Sequence, residues 1–295
     1  MVGEGESHAG FRWGAMNVRN RVPAARHFPA LRHLIVAAAV CILAACENVE
    51  LLDDSSDIER TWGEAVVALP PAGPEGPVLA KMGDRQMRKQ IARYGRDVRL
   101  PVVLYMHGCT GIGNFKFFER LAKAGFVVIV PDSLARRFRP LQCDPKTKTG
   151  GFNRFIYDFR QTEIAYALDR IATLDWADRG NLFLVGTSEG GVATALYRGN
   201  EFRARVITQW TCHGAAIVEG IAAPPDVAVL SIVKRGDPWY GTDRTYGQQG
   251  HCGMFMNGRP HSRSIVIGGE ATHDVYDSPE NVELIVRFLL ERRHG

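Results

Sequence analysis

The sequence lacks the features that would indicate a nucleic-acid-binding, membrane-spanning or zinc protein. Its first 45 residues hold five arginines and two glutamates, hence +3 of the net charge of +4, which leaves about +1 for the rest. Nucleic acid binding needs a concentrated basic surface. The apolar run Leu34–Ala45 has 12 residues, whereas about 20 are needed to cross a bilayer. No C-x₂-C pair is present. We therefore expect no nucleic-acid partner, no metal and no cofactor.

The composition is that of an ordinary folded chain. Hydrophobic residues make up 45% and charged residues 23%, and no internal repeat is visible. The length of 295 residues suits one large α/β domain better than two small ones.

The amino-terminal segment is predicted to be an export leader. The run Leu34–Ala45 follows Arg32 and has the length of a signal-peptide core. It ends in Leu43-Ala44-Ala45-Cys46, which resembles the lipobox of bacterial lipoproteins. This resemblance implies cleavage before Cys46, lipidation of Cys46, and a location on the periplasmic side of a bacterial membrane. A plain signal peptide and a soluble secreted protein are the alternative, and translation could start at Met1 or Met16.

The leader is followed by a predicted tether, residues 46–77. Its last part, Leu69–Pro77, is rich in proline, which fixes φ and lacks an amide donor. The catalytic domain is therefore expected to span residues 78–295, with an edge hairpin in Val78–Arg99.

From residue 100 onward, apolar runs typical of buried strands alternate with segments of helical periodicity. The predicted strands are Leu100–Met106, Phe126–Val130, Asn181–Val185, Arg205–Trp210, Val227–Val233 and Ser264–Ile267. The predicted helices are Phe115–Lys123, Phe155–Leu174, Gly190–Tyr197 and Pro279–Leu290. This alternation predicts a single α/β domain with a mostly parallel sheet and helices on both faces.

A G-x-S-x-G motif lies between a predicted strand and a predicted helix. The sequence Gly186-Thr187-Ser188-Glu189-Gly190 directly follows Asn181–Val185. Such a turn presents the serine above the sheet edge, and the helix amino terminus favours an oxyanion beside it. Ser188 is the predicted nucleophile. Glu189 adds a negative charge that would disfavour acidic substrates.

The general base and its orienting acid are expected after Ser188, in the order Ser, Asp, His. Asp237 follows the strand Val227–Val233, on the side where open α/β sheets bind ligands. Asp243 and Asp226 are its rivals. His273 follows the last strand, and an imidazole, with an ordinary pKa of about 6.5, can take up a proton and return it.

An oxyanion hole needs two backbone N–H donors. One is expected from Glu189, the residue after the nucleophile. The other is expected from the loop His107–Gly111, where Cys109 is the predicted donor and Thr110 the next candidate.

Five pieces of the chain together resemble the dienelactone hydrolase family of α/β-hydrolases. They are YMHGCTG (105–111), LAKAGFVVIVPDS (121–133), GTSEGG (186–191), RGDPW (235–239) and GEATHD (269–274). The resemblance spans about residues 100–295 and implies hydrolysis of a carboxylic ester or lactone without a metal. Dienelactone hydrolases proper use a cysteine where this chain has Ser188, which puts dienelactone itself in doubt. The HGC loop is also similar to that of secreted polyhydroxyalkanoate depolymerase-type esterases.

Four cysteines remain after Cys41 and Cys46 are assigned to the leader and the lipid site. An even number in an exported domain suggests two disulfides, for which three connectivities exist. The predicted pairs are Cys109–Cys143 and Cys212–Cys252, and a metal site is the other interpretation.

Three functions are compatible with these residues. The first is a serine esterase that acts through an acyl-enzyme on a small ester or lactone. Its pocket rim would be formed by residues 134–153 and 239–262, with Trp239, Tyr240, Phe255 and Met256 either lining it or packing on the body. The second is an acyltransferase, which shares the first half-reaction. The third is a binding lipoprotein on a hydrolase fold.

Overall fold

The computed structural model describes residues 55–214, 218–240 and 251–294. The strands are β1 (Val66–Leu69), β2 (Val78–Lys81), β3 (Leu100–Met106), β4 (Val127–Val130), β5 (Cys143–Asp144), β6 (Thr149–Gly150), β7 (Ala177–Thr187), β8 (Ala204–Thr208), β9 (Ala228–Lys234) and β10 (Arg263–Ile267). The α-helices are α1 (Asp57–Gly63), α2 (Arg85–Ile91), α3 (Phe115–Lys123), α4 (Phe155–Ile171), α5 (Glu189–Leu196) and α6 (Pro279–Leu290). Short 3-10 turns cover Ser133–Ala135 and Cys252–Met256.

Eight strands form one sheet, in the order β10-β9-β8-β7-β3-β4-β1-β2. The pairs from β10 to β4 are parallel, whereas β1 pairs antiparallel with both β4 and β2. β5 and β6 form a separate small hairpin. The predicted mostly parallel sheet is confirmed, and its strands agree with the predicted ones to within a few residues.

The fold begins earlier than the sequence predicts. Residues 57–69, predicted as tether, form α1 and β1, and the compact unit starts at Ser55. The edge hairpin expected in Val78–Arg99 is also wrong, because β2 pairs with β1 and is followed by α2. The proline-rich stretch is therefore the loop of a hairpin whose first strand the prediction missed. The leader and Cys46 lie outside the described residues.

Alternate residues of the central strands pack into cores on opposite faces of the sheet. On one face Val103 and Phe183 pack with α3 and α6, and on the other face Leu104 and Leu184 pack with α4. Burial on both faces explains why these strands are continuous apolar runs. Among the described residues, no helix is long and apolar enough to span a membrane.

The close approach of α5 to the sheet depends on glycine. A Cβ at Gly190 would lie 2.0 Å from the Met106 carbonyl oxygen, and one at Gly186 would lie 2.1 Å from the Gly190 carbonyl oxygen. Both contacts are with backbone, which cannot move aside as a flexible side chain can. The two glycines of the G-x-S-x-G motif are thus required by packing.

Gly190→Ala is expected to destabilise the fold by about 3 kcal/mol, because the methyl group overlaps β3. Gly63→Ala is the matched control, since nothing lies within 4 Å of a Cβ there. Its effect should stay within about 0.5 kcal/mol. Urea unfolding of both variants measures the difference, and a stable Gly190→Ala protein would contradict the close-approach argument.

Candidate active site

Ser188 occupies a strained turn between β7 and α5. Its φ of 54° and ψ of −118° lie outside the regions that most residues adopt. Its N–H donates to the Thr208 carbonyl (2.9 Å), which fixes the turn against β8. The half-buried serine is therefore presented at the carboxyl end of the sheet, as the motif predicts.

Asp237 and His273 meet at the same end of the sheet. Asp237 follows β9 and His273 follows β10, and these strands are parallel neighbours. The His273 Nδ1 donates to Asp237 Oδ2 over 2.7 Å. The other oxygen, Oδ1, accepts from the Trp239 N–H (3.0 Å). Because the Asp237 carboxylate is fully buried, these two donors give it a fixed orientation.

The remaining ring nitrogen of His273 is unpartnered among the described residues, and His273 lines the same cavity as Ser188. His273 Nε2 is buried and has no hydrogen-bond partner within the described part of the chain. Ser188, His273 and Cys109 all line this cavity. The hydrogen bond to Nδ1 leaves Nε2 as the atom that is able to accept a proton.

Three further residues support His273. The Gln209 side chain donates to the His273 carbonyl (2.7 Å), and the Tyr240 hydroxyl donates to the Gln209 carbonyl. The Trp239 ring lies beside the imidazole, with centroids 5.2 Å apart. These contacts restrict the orientation of the imidazole.

Of the two rival acids, Asp226 does not share this position. Asp226 is exposed and precedes β9, so it lies at the opposite end of that strand. Asp243 lies outside the described residues.

The loop expected to supply the oxyanion donor lies against Ser188. A Cβ at Gly108 would be 3.4 Å from the Ser188 Cβ, and Cys109 and Glu189 both line the adjoining cavity. The predicted Cys109–Cys143 disulfide is confirmed. It joins this loop to β5, so the predicted donor peptide is held by a covalent link.

The second predicted disulfide, Cys212–Cys252, is also confirmed. It joins the chain after β8 to the 3-10 turn Cys252–Met256. Both cysteines are fully buried beside Trp210 in a small apolar cluster.

A second cavity, of ≈ 180 Å³, also opens beside Ser188, and His273 does not line this one. Trp239 and Tyr240 line it, which agrees with the first of their two predicted roles, lining the pocket. Phe255 and Met256 instead pack in the apolar cluster around Trp210. Other lining residues are Gln142, Lys148, Tyr157, Val192 and Trp210. The cavity therefore has an apolar aromatic wall and a polar wall from the β5–β6 hairpin.

The carboxylate of Glu189 is buried between two arginines. Its side chain is 3% exposed and accepts from Arg139 (2.5 Å), while Arg160 Nε lies 3.6 Å away. Burial raises the pKa of Glu189, and the two guanidinium groups oppose that rise. The expectation that Glu189 disfavours acidic substrates therefore loses its basis.

Arg160 is the centre of a fully buried ion network that the sequence analysis missed. It donates to Glu163 (2.9 Å) and to the His107 carbonyl (2.8 Å). Glu163 also accepts from Ser133 (2.8 Å) and from Arg136 (2.9 Å). The signal was present in α4, where Arg160 and Glu163 occupy positions of the helix face that otherwise holds apolar residues such as Ile156 and Ala167.

His107 lies in the same network as a neutral side chain. Its Nε2 accepts from the Ser133 N–H (2.9 Å), so its Nδ1 carries the proton and donates to the Gly108 carbonyl (2.7 Å). Burial, followed by the charge of Arg160, lowers the pKa of His107 well below 6.5. His107 thus braces the loop that carries Cys109.

The fold and the strand–helix turn at Ser188 define the chain as an α/β-hydrolase. Residues 90–242, just over half of the sequence, match the model of the dienelactone hydrolase family. The chain belongs to this family. The matched range includes Ser188 and Asp237 and ends before His273. No curated protein matches the chain.

Solved structures similar to this chain include several esterases and a dienelactone hydrolase. Esterase PE8 is 15% identical, with 66% of this chain and 94% of that chain covered and a TM-score of 0.46. A putative dienelactone hydrolase from Klebsiella pneumoniae subsp. pneumoniae is 15% identical, with 77% and 99% covered and a TM-score of 0.46. A hyperthermophilic esterase from the archaeon Pyrobaculum calidifontis is 15% identical, with 90% and 94% covered and a TM-score of 0.46.

The buried neutral His107 should make the fold sensitive to acid. The unfolded chain protonates this histidine near pH 6.5, whereas the folded chain resists protonation, so stability falls as the pH drops below that value. Between about pH 7 and about pH 5.5, wild type should lose about 1 kcal/mol more stability than His107→Gln.

Urea unfolding at the two pH values measures this difference. Other titrating groups, including Glu189, are common to both proteins and cancel. Equal losses in the two proteins would show that His107 does not carry the effect.

Proposed function

We propose that the chain is a serine hydrolase that cleaves a carboxylic ester or lactone with Ser188 as nucleophile, His273 as general base and Asp237 as orienting acid. The observation that carries this proposal is the 2.7 Å bond from His273 Nδ1 to the buried Asp237. His273 Nε2 is left without a hydrogen-bond partner among the described residues, and His273 and Ser188 line the same cavity.

Ser188 Oγ attacks the carbonyl carbon of the ester while His273 Nε2 takes up its proton. The tetrahedral intermediate collapses to an acyl-enzyme as the same nitrogen returns the proton to the leaving alcohol. Water then repeats both steps and releases the acid. Asp237 keeps the proton on Nδ1 and stabilises the imidazolium in each step.

The oxyanion of the intermediate would be bound by the N–H groups of Glu189 and Cys109, with Thr110 as the alternative to Cys109. Two features support this assignment. Glu189 is the first residue of α5, where amide groups have no helical partner. Cys109 lines the cavity and is held by its disulfide. One oxyanion donor is worth about 3–4 kcal/mol in comparable enzymes.

The ≈ 180 Å³ cavity beside Ser188 favours a small ester or lactone with an apolar part. Trp239, Tyr240 and Val192 offer apolar surface, and Lys148 is the cation on its edge. An acyl-enzyme could also pass its acyl group to an alcohol or amine, since the first half-reaction is the same.

We also propose that residues 1–45 form a leader and that Cys46 is lipidated, which places the domain on the periplasmic side of a bacterial membrane. The two disulfides support export, since such bonds persist in oxidising compartments.

Ser188→Ala should reduce aryl-ester turnover by more than about a thousandfold while the unfolding midpoint stays unchanged. The serine hydroxyl supports no packing, so the loss is chemical. A fluorophosphonate probe should label wild type at Ser188 and leave the variant unlabelled. A folded wild-type protein that takes no label would favour the binding lipoprotein over the enzyme.

The same assay tests the acid. Asp237→Asn should lower turnover by about a hundredfold or more, because an amide cannot hold the proton on Nδ1 in the required tautomer. Asp243→Asn is the matched control and should retain turnover. A larger loss in Asp243→Asn than in Asp237→Asn would overturn the assignment.

A further inference from the structure

The most exposed apolar side chains of the described residues are concentrated in one segment beside the cavity. Leu141, Phe155 and Phe138 are 72%, 69% and 67% exposed, and Phe152 and Leu134 accompany them. We call these five residues the rim surface. Several large apolar side chains exposed within one segment of a domain indicate a binding role.

The backbone holds this segment in place while its apolar side chains remain outside. Gly151 and Phe152 donate their N–H groups to the Gln142 carbonyl (3.0 and 3.4 Å). The Gln142 side chain accepts from the Asn153 N–H (2.7 Å), and Cys143 is bonded to Cys109. These bonds bring the backbone at Leu141 next to the backbone at Phe152.

The inner side of the same segment lines the cavity beside Ser188. Gln142, Cys143, Thr149 and Gly150 are part of that wall. The rim surface therefore borders the mouth of the cavity, and whatever covers the rim surface also faces the opening.

Exposed cations accompany the apolar side chains. Arg137, Lys146, Lys148 and Arg154 are exposed in this segment, and its acids are the half-buried Asp144 and the exposed Asp158. The chain beyond its first 45 residues carries only about +1, so this face concentrates positive charge. Aromatic side chains combined with lysine and arginine match an anionic lipid surface, which takes up the rings and attracts the charges.

The amino-terminal end of the described chain lies against the same segment. Asp57 Oδ1 accepts from the Arg137 N–H (2.9 Å), and its Oδ2 accepts from the Phe138 N–H (3.2 Å). Eight residues lie between Cys46 and Ser55, so the chain from one to the other can span at most about 30 Å. A lipid at Cys46, as proposed above, would keep the bilayer close to this side of the domain.

We propose that the rim surface docks on an anionic lipid bilayer, so that the mouth of the cavity faces the membrane. The bilayer removes the exposed apolar side chains from water, and the cations pair with lipid phosphates. The substrate would then enter from the lipid side, which favours a lipid-soluble ester. That last consequence rests on the proposed hydrolase function, whereas the docking itself does not.

The test uses the full chain with Cys41→Ser and Cys46→Ser, so that no lipid anchor contributes. Co-sedimentation is measured with vesicles of phosphatidylcholine alone and with an equal mixture of phosphatidylcholine and phosphatidylglycerol. Adding Phe138→Ser, Leu141→Ser and Phe155→Ser should weaken binding to the mixed vesicles by about tenfold or more. Val98→Ser, Met254→Ser and Leu290→Ser, which are exposed apolar residues outside the segment, form the matched control and should leave binding unchanged.

The charges are tested separately. Lys146→Gln with Arg154→Gln should weaken binding to the mixed vesicles by about tenfold and leave phosphatidylcholine binding unchanged. The rim variant should still hydrolyse a soluble aryl ester within about twofold of wild type, since none of its three residues lines the cavity. If wild type itself does not hydrolyse the soluble aryl ester, the result would count against the proposed hydrolase function and not against docking.

A second measurement does not depend on the leader. An environment-sensitive fluorophore on Phe155→Cys should shift to shorter wavelength with mixed vesicles, and the same fluorophore on Met254→Cys should not. Equal vesicle binding by wild type and the rim variant, together with no shift at position 155, would overturn the proposal. So would a change of oligomeric state in the rim variant without any change in vesicle binding, since the rim surface would then contact a second copy.

Discussion

The buried guanidinium of Arg160 is the interaction on which the site depends. Taking a charge out of water costs several kcal/mol unless it is paired. Arg160 meets this requirement by bonding to Glu163 and the His107 carbonyl and by lying 3.6 Å from Glu189. One side chain thus fixes the loop that carries Cys109 and the first turn of α5. The relative position of the two proposed oxyanion donors is set by this network and not by the strands alone.

The sheet and the strand–helix turn at Ser188 could be predicted from the sequence because the patterns that indicate them are local. β3 and β4 are apolar runs that need no partner to be recognised, and Ser188 lies between glycines that the helix–strand contact requires. The meeting of Asp237 with His273 could be predicted from chain order, since each follows a strand that ends at the same edge of the sheet. Four cysteines outside the leader predict two disulfides, and of the three connectivities the pairing was chosen because it ties the loops at the carboxyl end of the sheet.

The parts that could not be predicted depend on distant contacts. β1 is four residues long and precedes prolines, so only its pairing with β4 and β2 makes it a strand. The direction of the Glu189 side chain follows from the placement of Arg139 and Arg160, which come from other segments. Gln209 supports His273 through a side chain that no local pattern marks. Arg160 and Glu163 are the exception, because both place a charge on an otherwise apolar helix face.

The rim surface keeps apolar side chains in water, which is unfavourable in free energy, and no other part of the described chain covers them. Covering a side chain such as Leu141 or Phe155 would gain about 1.5–3 kcal/mol. Collapse of the segment onto the cavity would have to break the bonds to Gln142, at about 1 kcal/mol each, and work against the Cys109–Cys143 link. The same constraints that keep the oxyanion loop in place therefore keep the apolar side chains outward. The apolar side chains of the rim surface can therefore be buried only against another surface, and the cations beside them favour an anionic surface.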